Sequence, residues 1–178
     1  MKESHMANAP DTTKDLALIA RQEAELLFPA FNHDIAWRLG FALRELALTR
    51  NHSLVIDIRR FGQPYQPLFY AALPGTTPEN ARWVHRKSNV VARFHRSSYA
   101  VGLTLEPTGL TVAQKYALPE ADYAAHGGSF PIHVTGAGIL GAITVSGLPQ
   151  REDHNLVVEA LCAFLQKDHP TLRLPAQL

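Results

Sequence analysis

Apolar positions in the first third of the chain recur every three to four residues, which is the period of an amphipathic helix. The pattern predicts a first helix over residues 14–28, which Pro29 closes. Asn32 is a suitable N-cap for a second helix that runs to about Arg50. We therefore expect the chain to begin with two helices, each burying one apolar stripe.

The middle of the chain changes to short β-branched segments that turns separate. Residues 54–59 and 67–73 are predicted to form the two strands of a hairpin, with the turn at 61–64. A third helix is expected over 78–94, because a proline stands at its first position. The alternating pattern of 98–105 predicts a further strand.

Glycines punctuate the last third of the chain. The loop 126–131 leads into a predicted strand at 132–135, and the turn 136–138 connects that strand to another at 139–146. A last helix is predicted over about 150–167. Strands joined by tight turns pair antiparallel, so the expected fold class is α+β, a mostly antiparallel sheet flanked by helices.

The length of 178 residues suits one domain, which we expect to occupy residues 14–168. Residues 1–13 lack the apolar core of a signal peptide and are expected to be disordered or tag-derived. Residues 169–178 contain two prolines and are expected to form a fraying tail. No apolar run approaches the roughly 20 residues of a membrane span, so we expect a cytoplasmic protein without a membrane partner.

The net charge of +1 is low, which argues against a nucleic-acid partner, but the charge is unevenly distributed. Residues 57–96 contain seven basic and two acidic side chains, which gives this segment a charge of +5. The segments before and after it carry −1 and −3. The basic segment is therefore the first place to look for a small anionic ligand, although a solvated helix face would have the same composition.

Candidate ligand-binding residues follow from this distribution. Arg59, Arg60 and Phe61 end a strand and offer two cations beside an aromatic ring, which suits carboxylates on a flat molecule. Strand-terminal arginines are also commonly just solvated. Lys87 shares a helix face with the apolar Val84 and is expected to be partly buried.

A glycine-bearing loop supplies the second group of candidates. Gly127 and Gly128 let the backbone approach a ligand closely, and His126 beside them can bind iron or carry a proton. A plain loop that leads into a strand would have the same residues. His154 in the last helix is a further candidate, or a solvent-exposed side chain. The histidine spacings do not favour a zinc site, and the single Cys162 excludes an intrachain disulfide.

Several sequence segments resemble the haem-degrading-domain family, also called HbpS/GlcG-like, and are most like its branch of uncharacterised proteins of about 160 residues. The resemblance is carried by the segments 56–60, 72–76, 83–87, 126–132 and 141–150, together with Asp153 and His154. It extends over nearly the whole chain, from about Leu16 to Leu165.

The resemblance implies an antiparallel sheet with helices on both faces, similar to the profilin-like fold, and a homo-oligomer of two or more subunits. It also implies a small-molecule-binding protein, with haem or another flat anionic compound as the candidate ligand. In that hypothesis Arg59, Arg60 and Lys87 pair with the propionates and Phe61 stacks on the ring. His126 or His154 then approaches the iron.

Two other functions remain open at this point. The second hypothesis is a non-catalytic assembly or interaction protein, in which the segment 136–147 and the helix 150–167 form subunit contacts. A hydrolase or lyase could use His126 as a general base on a small acid. The sequence therefore does not decide whether the protein is an enzyme, and it identifies no catalytic residue.

Overall fold

The computed structural model describes residues 12–176. The predicted segment 1–13 thus lies outside the described residues, apart from Thr12 and Thr13. The helices are α1 Thr12–Glu25, α2 His33–Thr49, α3 Pro78–Phe94, α4 Ser98–Leu105, α5 Val112–Tyr116, α6 Gln150–Leu165 and α7 His169–Leu172, with a 3-10 turn at Glu106–Thr108. The strands are β1 Val55–Arg60, β2 Gln66–Ala72, β3 Ser129–Val134 and β4 Gly138–Ser146.

The four strands form one sheet in the order β2-β1-β4-β3, and every neighbouring pair is antiparallel. Helices α2 and α6 pack on one face of the sheet, and α3 packs on the other. The predicted α+β class, with helices on both faces of an antiparallel sheet, is confirmed. None of the helices described between residues 12 and 176 is both long and apolar enough to cross a bilayer.

Strand β1 shows how the sequence distributes side chains between the two faces. Ile56 and Ile58 are fully buried in the main core with residues of α2 and α6. Because successive side chains of a strand point to opposite faces, Asp57 and Arg59 lie on the face covered by α3. The sheet therefore buries polar side chains beneath α3, and this is where the clefts described below form.

The prediction of a strand over residues 98–105 is wrong, because this segment is helix α4. The Ser97 hydroxyl accepts a hydrogen bond from the backbone N–H of Ala100 and caps the helix. Most residues of α4 are buried, and a short apolar segment that is buried on several sides has no helical stripe to distinguish it from a strand. Ser97, as a helix N-cap, indicates the start of a helix, whereas the alternating pattern of the residues after it indicates a strand.

The C-terminal tail was expected to fray from residue 169, but part of it is packed. Helix α7 lies here, and Leu172 and Leu174 are both 1% exposed. The Gln22 side chain donates a hydrogen bond of 2.6 Å to the Leu172 carbonyl, and Asn155 forms two hydrogen bonds with Leu174. Arg151 of α6 also donates a hydrogen bond of 2.7 Å to the Pro175 carbonyl, so the tail is anchored to α1 and α6 as far as Pro175.

Candidate functional site

Arg59 is buried beneath α3 and held in one orientation. Its side chain is 6% exposed, and its Nε donates a hydrogen bond of 2.5 Å to Asp57 Oδ1. The guanidinium lies over the Tyr65 ring, 4.1 Å from its centre. One terminal nitrogen is 3.5 Å from Nδ1 of His85 on α3. A buried arginine needs such partners, and here they also fix its position at the wall of a cleft.

We call this cavity the arginine cleft. It has a volume of about 510 Å³ and lies between β1, β2 and one flank of α3. Arg82, His85 and Arg86 share that flank because their spacings of three and four residues place them on one side of a helix. The polar and aromatic residues that define the cleft are Asp57, Arg59, Tyr65, Tyr70, Arg82, His85 and Arg86. Among these, three arginines face a single carboxylate.

Lys87 lies on the other flank of α3 and is 3% exposed, together with the buried Val84 and Val91. The lysine was expected to be partly buried, and the structure buries it almost completely. Its Nζ donates a hydrogen bond of 2.8 Å to Asp153 Oδ2 and one of 3.3 Å to the Val145 carbonyl. The partner Asp153 is itself only 1% exposed, so the two charges form a buried ion pair.

The Asp153 carboxylate is anchored in the first helical turns of α6. It accepts hydrogen bonds from the backbone N–H groups of Leu148, at 3.0 Å, and Gly147, at 3.4 Å. Desolvation lowers the pKa of Lys87 and raises the pKa of Asp153, while the attraction between the two groups acts in the opposite direction on each. Burial therefore brings the charged pair closer in energy to the neutral pair of amine and carboxylic acid.

A second cavity, which we call the lysine cleft, opens above this ion pair and has a volume of about 290 Å³. The cavity is lined by the side chains of Asn80, Trp83, Lys87, His126, Gln150 and Asp153, together with the chain around Gly147. The His126 ring is exposed and packs edge-on against Trp83 at 5.3 Å. Partial desolvation, and then the charges of Lys87 and Arg86, lower the pKa of His126, so its imidazole is neutral at pH 7.

Gly127 and Gly128 let the loop that carries His126 pack closely against the start of α6 and against β4. A Cβ on Gly127 would lie 1.9 Å from the Gln150 carbonyl oxygen, at the start of α6. A Cβ on Gly128 would lie 2.5 Å from the Val145 carbonyl oxygen and 2.8 Å from Lys87 Nζ. Gly128 also has a φ of +126°, which side chains rarely adopt. Both glycines thus allow the close packing that places His126 beside Lys87.

The predicted site residues are divided between several places. Lys87, His126, Gly127 and Gly128 come together around the lysine cleft. Arg59 lies in the arginine cleft, and Phe61 lies beside it in a smaller neighbouring cavity. Arg60 lines neither cleft, because the alternation of β1 directs it to the face opposite Arg59.

His154 is located in the interior and not at a cleft wall. It is 1% exposed, and its Nε2 lies 2.8 Å from Oε1 of Gln22 on α1. Its ring also packs against Tyr99 and Phe130. Desolvation lowers the pKa of His154 to about 3, so the imidazole is neutral at pH 7. We therefore correct the expectation that His154 approaches a ligand, because the packed interior encloses its ring.

Other members of the two clefts were missed in the sequence. Tyr65, not Phe61, is the ring under the Arg59 guanidinium, and it follows a turn that gave no periodic signal. Arg82 and His85 belong to the basic segment, and their spacing of three residues on α3 is the signal that places them on one flank. In the part of the chain that the structure describes, no three His, Cys, Asp or Glu side chains converge as a metal site would require.

Comparison with known proteins gives the following similarities. The family model described as haem degrading protein HbpS-like matches residues 31–162. A UPF0303 protein of Burkholderia thailandensis is 58% identical over 164 residues, which is 92% of this chain and 98% of the relative.

Solved structures are similar over most of the chain. The crystal structure of Ybr137w has a TM-score of 0.78 at 27% identity and covers 85% of this chain and 87% of its own. A complex of PduOC with haem has a TM-score of 0.63 and covers 75% of this chain and 94% of its own. Its identity of 15% shows a common fold alone.

Proposed function

The chain belongs to the HbpS-like family of haem-degrading proteins, and on this premise we propose that it is a cytoplasmic small-molecule-binding protein whose ligand is flat and anionic. Haem is the candidate ligand, and we place its site in the arginine cleft. The observation that carries the proposal is the excess of three arginines over one carboxylate along a cavity of about 510 Å³ that also has two tyrosine walls.

The three arginines of the arginine cleft differ in how far their charges are already compensated. The Arg59 charge is compensated by Asp57 at 2.5 Å, so this arginine forms a fixed wall more than a free cation. Arg82 and Arg86 provide the remaining positive charge. The Nε of Arg86 donates to the Glu120 carbonyl, and the contact of Arg82 with Glu79 is long, at 3.6 Å, and exposed. Two cations four residues apart on α3 suit a ligand with two carboxylates.

The residues of the cleft fit the organic part of haem. Arg82 and Arg86 would pair with the propionates, and the rings of Tyr65 and Tyr70 would contact the porphyrin. His85 is the imidazole of the cleft, with Nδ1 at 3.5 Å from Arg59 and Nε2 at 3.2 Å from the Asn89 amide. To bind the iron, Nδ1 would have to give up its contact with Arg59, or Nε2 its contact with Asn89. When bound, haem would supply an iron centre for redox chemistry.

Titration of haem into the protein, followed by visible spectroscopy, tests this proposal. We expect a Soret shift at micromolar wild-type protein. Arg82→Ala should weaken binding about tenfold, because one charge-assisted hydrogen bond contributes about 1.5–3 kcal/mol and this side chain is partly screened by water. Arg44→Ala, an exposed arginine of α2 outside the cleft, is the matched control and should bind like the wild type.

A wild-type protein that gives no Soret shift would contradict the proposal. Equal weakening by Arg82→Ala and Arg44→Ala would also contradict it, since it would show a general effect of surface charge.

One observation favours an assembly function as the second candidate. Trp37 and Phe41 of α2 are 61% and 50% exposed and lie four residues apart on one helix face. The contact segments expected from the sequence are not suited to this role. Strand β4 has a neighbour on each side, and most of α6 is buried against α2 and the sheet. A homo-oligomer would use the Trp37–Phe41 face instead.

Light scattering after size-exclusion chromatography tests that face. We expect the wild-type protein to form an oligomer, and Trp37→Ser with Phe41→Ser to shift it toward the monomer, because these are the two large hydrophobic side chains that the described part of α2 exposes. Leu110→Ser, which alters a separate exposed apolar residue, is the control. An unchanged mass for the double variant would exclude this face as the contact.

A further inference from the structure

We propose that Lys87 is a reactive amine, and that it forms an imine with small neutral aldehydes or ketones that enter the lysine cleft. This inference goes beyond the ligand proposed above, because it concerns the other flank of α3 and a different chemistry. It rests on the position of Nζ, on the charges around it and on the groups that share the cavity.

The position of Nζ leaves one direction for a ligand. An ammonium group has three N–H donors, and Nζ has two acceptors among the described residues, Asp153 Oδ2 at 2.8 Å and the Val145 carbonyl at 3.3 Å. Lys87 and Asp153 both line the lysine cleft. Gly128 packs close to Nζ on its other side, since a Cβ there would lie 2.8 Å away, so the open approach to Nζ is from the cleft. A carbonyl oxygen in the cleft can therefore accept the third N–H.

The charges in the cleft favour a neutral ligand. Asp153 compensates the charge of Lys87 at 2.8 Å, and the nearby His126 is neutral at pH 7. Asn80 and Gln150 add polar amides without charge. An additional anion would meet the Asp153 carboxylate with no free cation on the same wall. A neutral carbonyl compound adds no charge and accepts a hydrogen bond, which is what this cavity offers.

The reaction needs only the groups that line the cavity. Transfer of a proton from Nζ to Asp153 gives a free amine, which attacks the carbonyl carbon and forms a C–N bond. The attacking nitrogen loses its two protons to the carbonyl oxygen, which leaves as water while the C=N bond forms. The nitrogen recovers a proton from Asp153, so one carbonyl compound and one lysine ammonium give one iminium and one water. The Asp153 carboxylate remains as the counter-ion of the iminium.

His126 is positioned to assist the loss of water. Its imidazole lines the same cavity, is exposed to solvent and is neutral at pH 7, so it can accept and return a proton. Trp83 fixes the ring edge-on at 5.3 Å. The exposed side of the cavity thus carries a proton shuttle, while the buried side carries the amine. Desolvation lowers the pKa of Lys87 and supports this assignment.

Reductive trapping with propanal and cyanoborohydride at pH 7 tests the proposal on the full chain. Reduction converts the imine into a stable propyl-lysine, which peptide mass spectrometry locates. The exposed Lys115 and Lys167 are internal references in the same sample. We expect Lys87 to be propylated about tenfold faster than either reference, although it is far more buried. A rate at Lys87 no faster than that at Lys115 and Lys167 would overturn the proposal.

His126→Ala separates chemistry from accessibility. This side chain is exposed, so its removal should leave the fold intact and should open the cavity wider. If His126 carries protons, propylation of Lys87 should slow about 100-fold while Lys115 and Lys167 react as before. A faster reaction at Lys87 would overturn the role of His126, because it would show that the ring only obstructs the cavity. The haem titration does not affect this outcome, so the two proposals fail independently.

Discussion

Replacing Lys87 by Met is expected to lower the free energy of unfolding by about 3–5 kcal/mol, because it leaves the Asp153 carboxylate buried without a counter-ion. The two side chains are 3% and 1% exposed, so water cannot take the place of the lysine. Met has a similar length and fills much of the same volume, so the variant removes the charge while it keeps most of the packing. Urea unfolding followed by circular dichroism measures the difference.

Two further variants make the measurement specific to the ion pair. Lys115→Met removes an exposed lysine and should change stability by less than about 0.5 kcal/mol. Asp153→Asn in the Lys87→Met background removes the stranded charge and keeps an oxygen for the Leu148 N–H, so it should recover part of the loss. Additive losses in the double variant would show that the pair is not coupled as the structure indicates.

Gly128→Ala is expected to destabilise the fold by about 2–6 kcal/mol. The backbone has a φ of +126°, a conformation that costs a residue with a side chain about 1–3 kcal/mol. The added Cβ would also lie 2.5 Å from the Val145 carbonyl oxygen, and overpacking of this kind adds about 1–3 kcal/mol. Because the same loop carries His126, the variant should also displace that histidine from the lysine cleft.

Gly136 provides the matched control for this prediction. Its φ is +77°, but nothing lies within 4 Å of the position that a Cβ would take. Gly136→Ala should therefore cost only the backbone term, about 1–2 kcal/mol. Chemical unfolding of the two variants side by side isolates the effect of the close approach. Equal losses would mean that the contact between Gly128 and β4 is not as tight as described.

Local patterns predicted most of the fold. The β-branched segment 54–59 predicted strand β1, and the common face of Lys87 and Val84 predicted a partly buried lysine, which the structure buries almost completely. The segment 98–105 was predicted wrongly because it is buried on several sides, and a pattern of apolar residues then does not distinguish helix from strand. The local sequence pattern is sufficient to predict a helix or strand where one face of the element is exposed and the other is buried.

The candidate sites were harder to predict, because they depend on long-range contacts. Asp153 lies 66 residues from Lys87 along the chain, and no local spacing connects the two. Tyr65 follows the turn after β1, and its ring lies against both Arg59 and His85 of α3, a contact that no local spacing indicates. His154 follows Asp153 in the sequence and is equally buried, but it packs in the interior and does not line the lysine cleft. Composition located the basic segment, and the fold placed four of its seven cations at the two clefts, with Arg59, Arg82 and Arg86 at one and Lys87 at the other.

The position of the ligand site is the central claim, and one spectral titration tests it most directly. Haem is added to the wild type, to the Arg82→Glu/Arg86→Glu double variant and to His126→Ala, with the Soret band as the readout. With the site in the arginine cleft, the wild type and His126→Ala should show the same shift, and the double variant should lose it. A shift that survives in the double variant and disappears in His126→Ala would contradict the account.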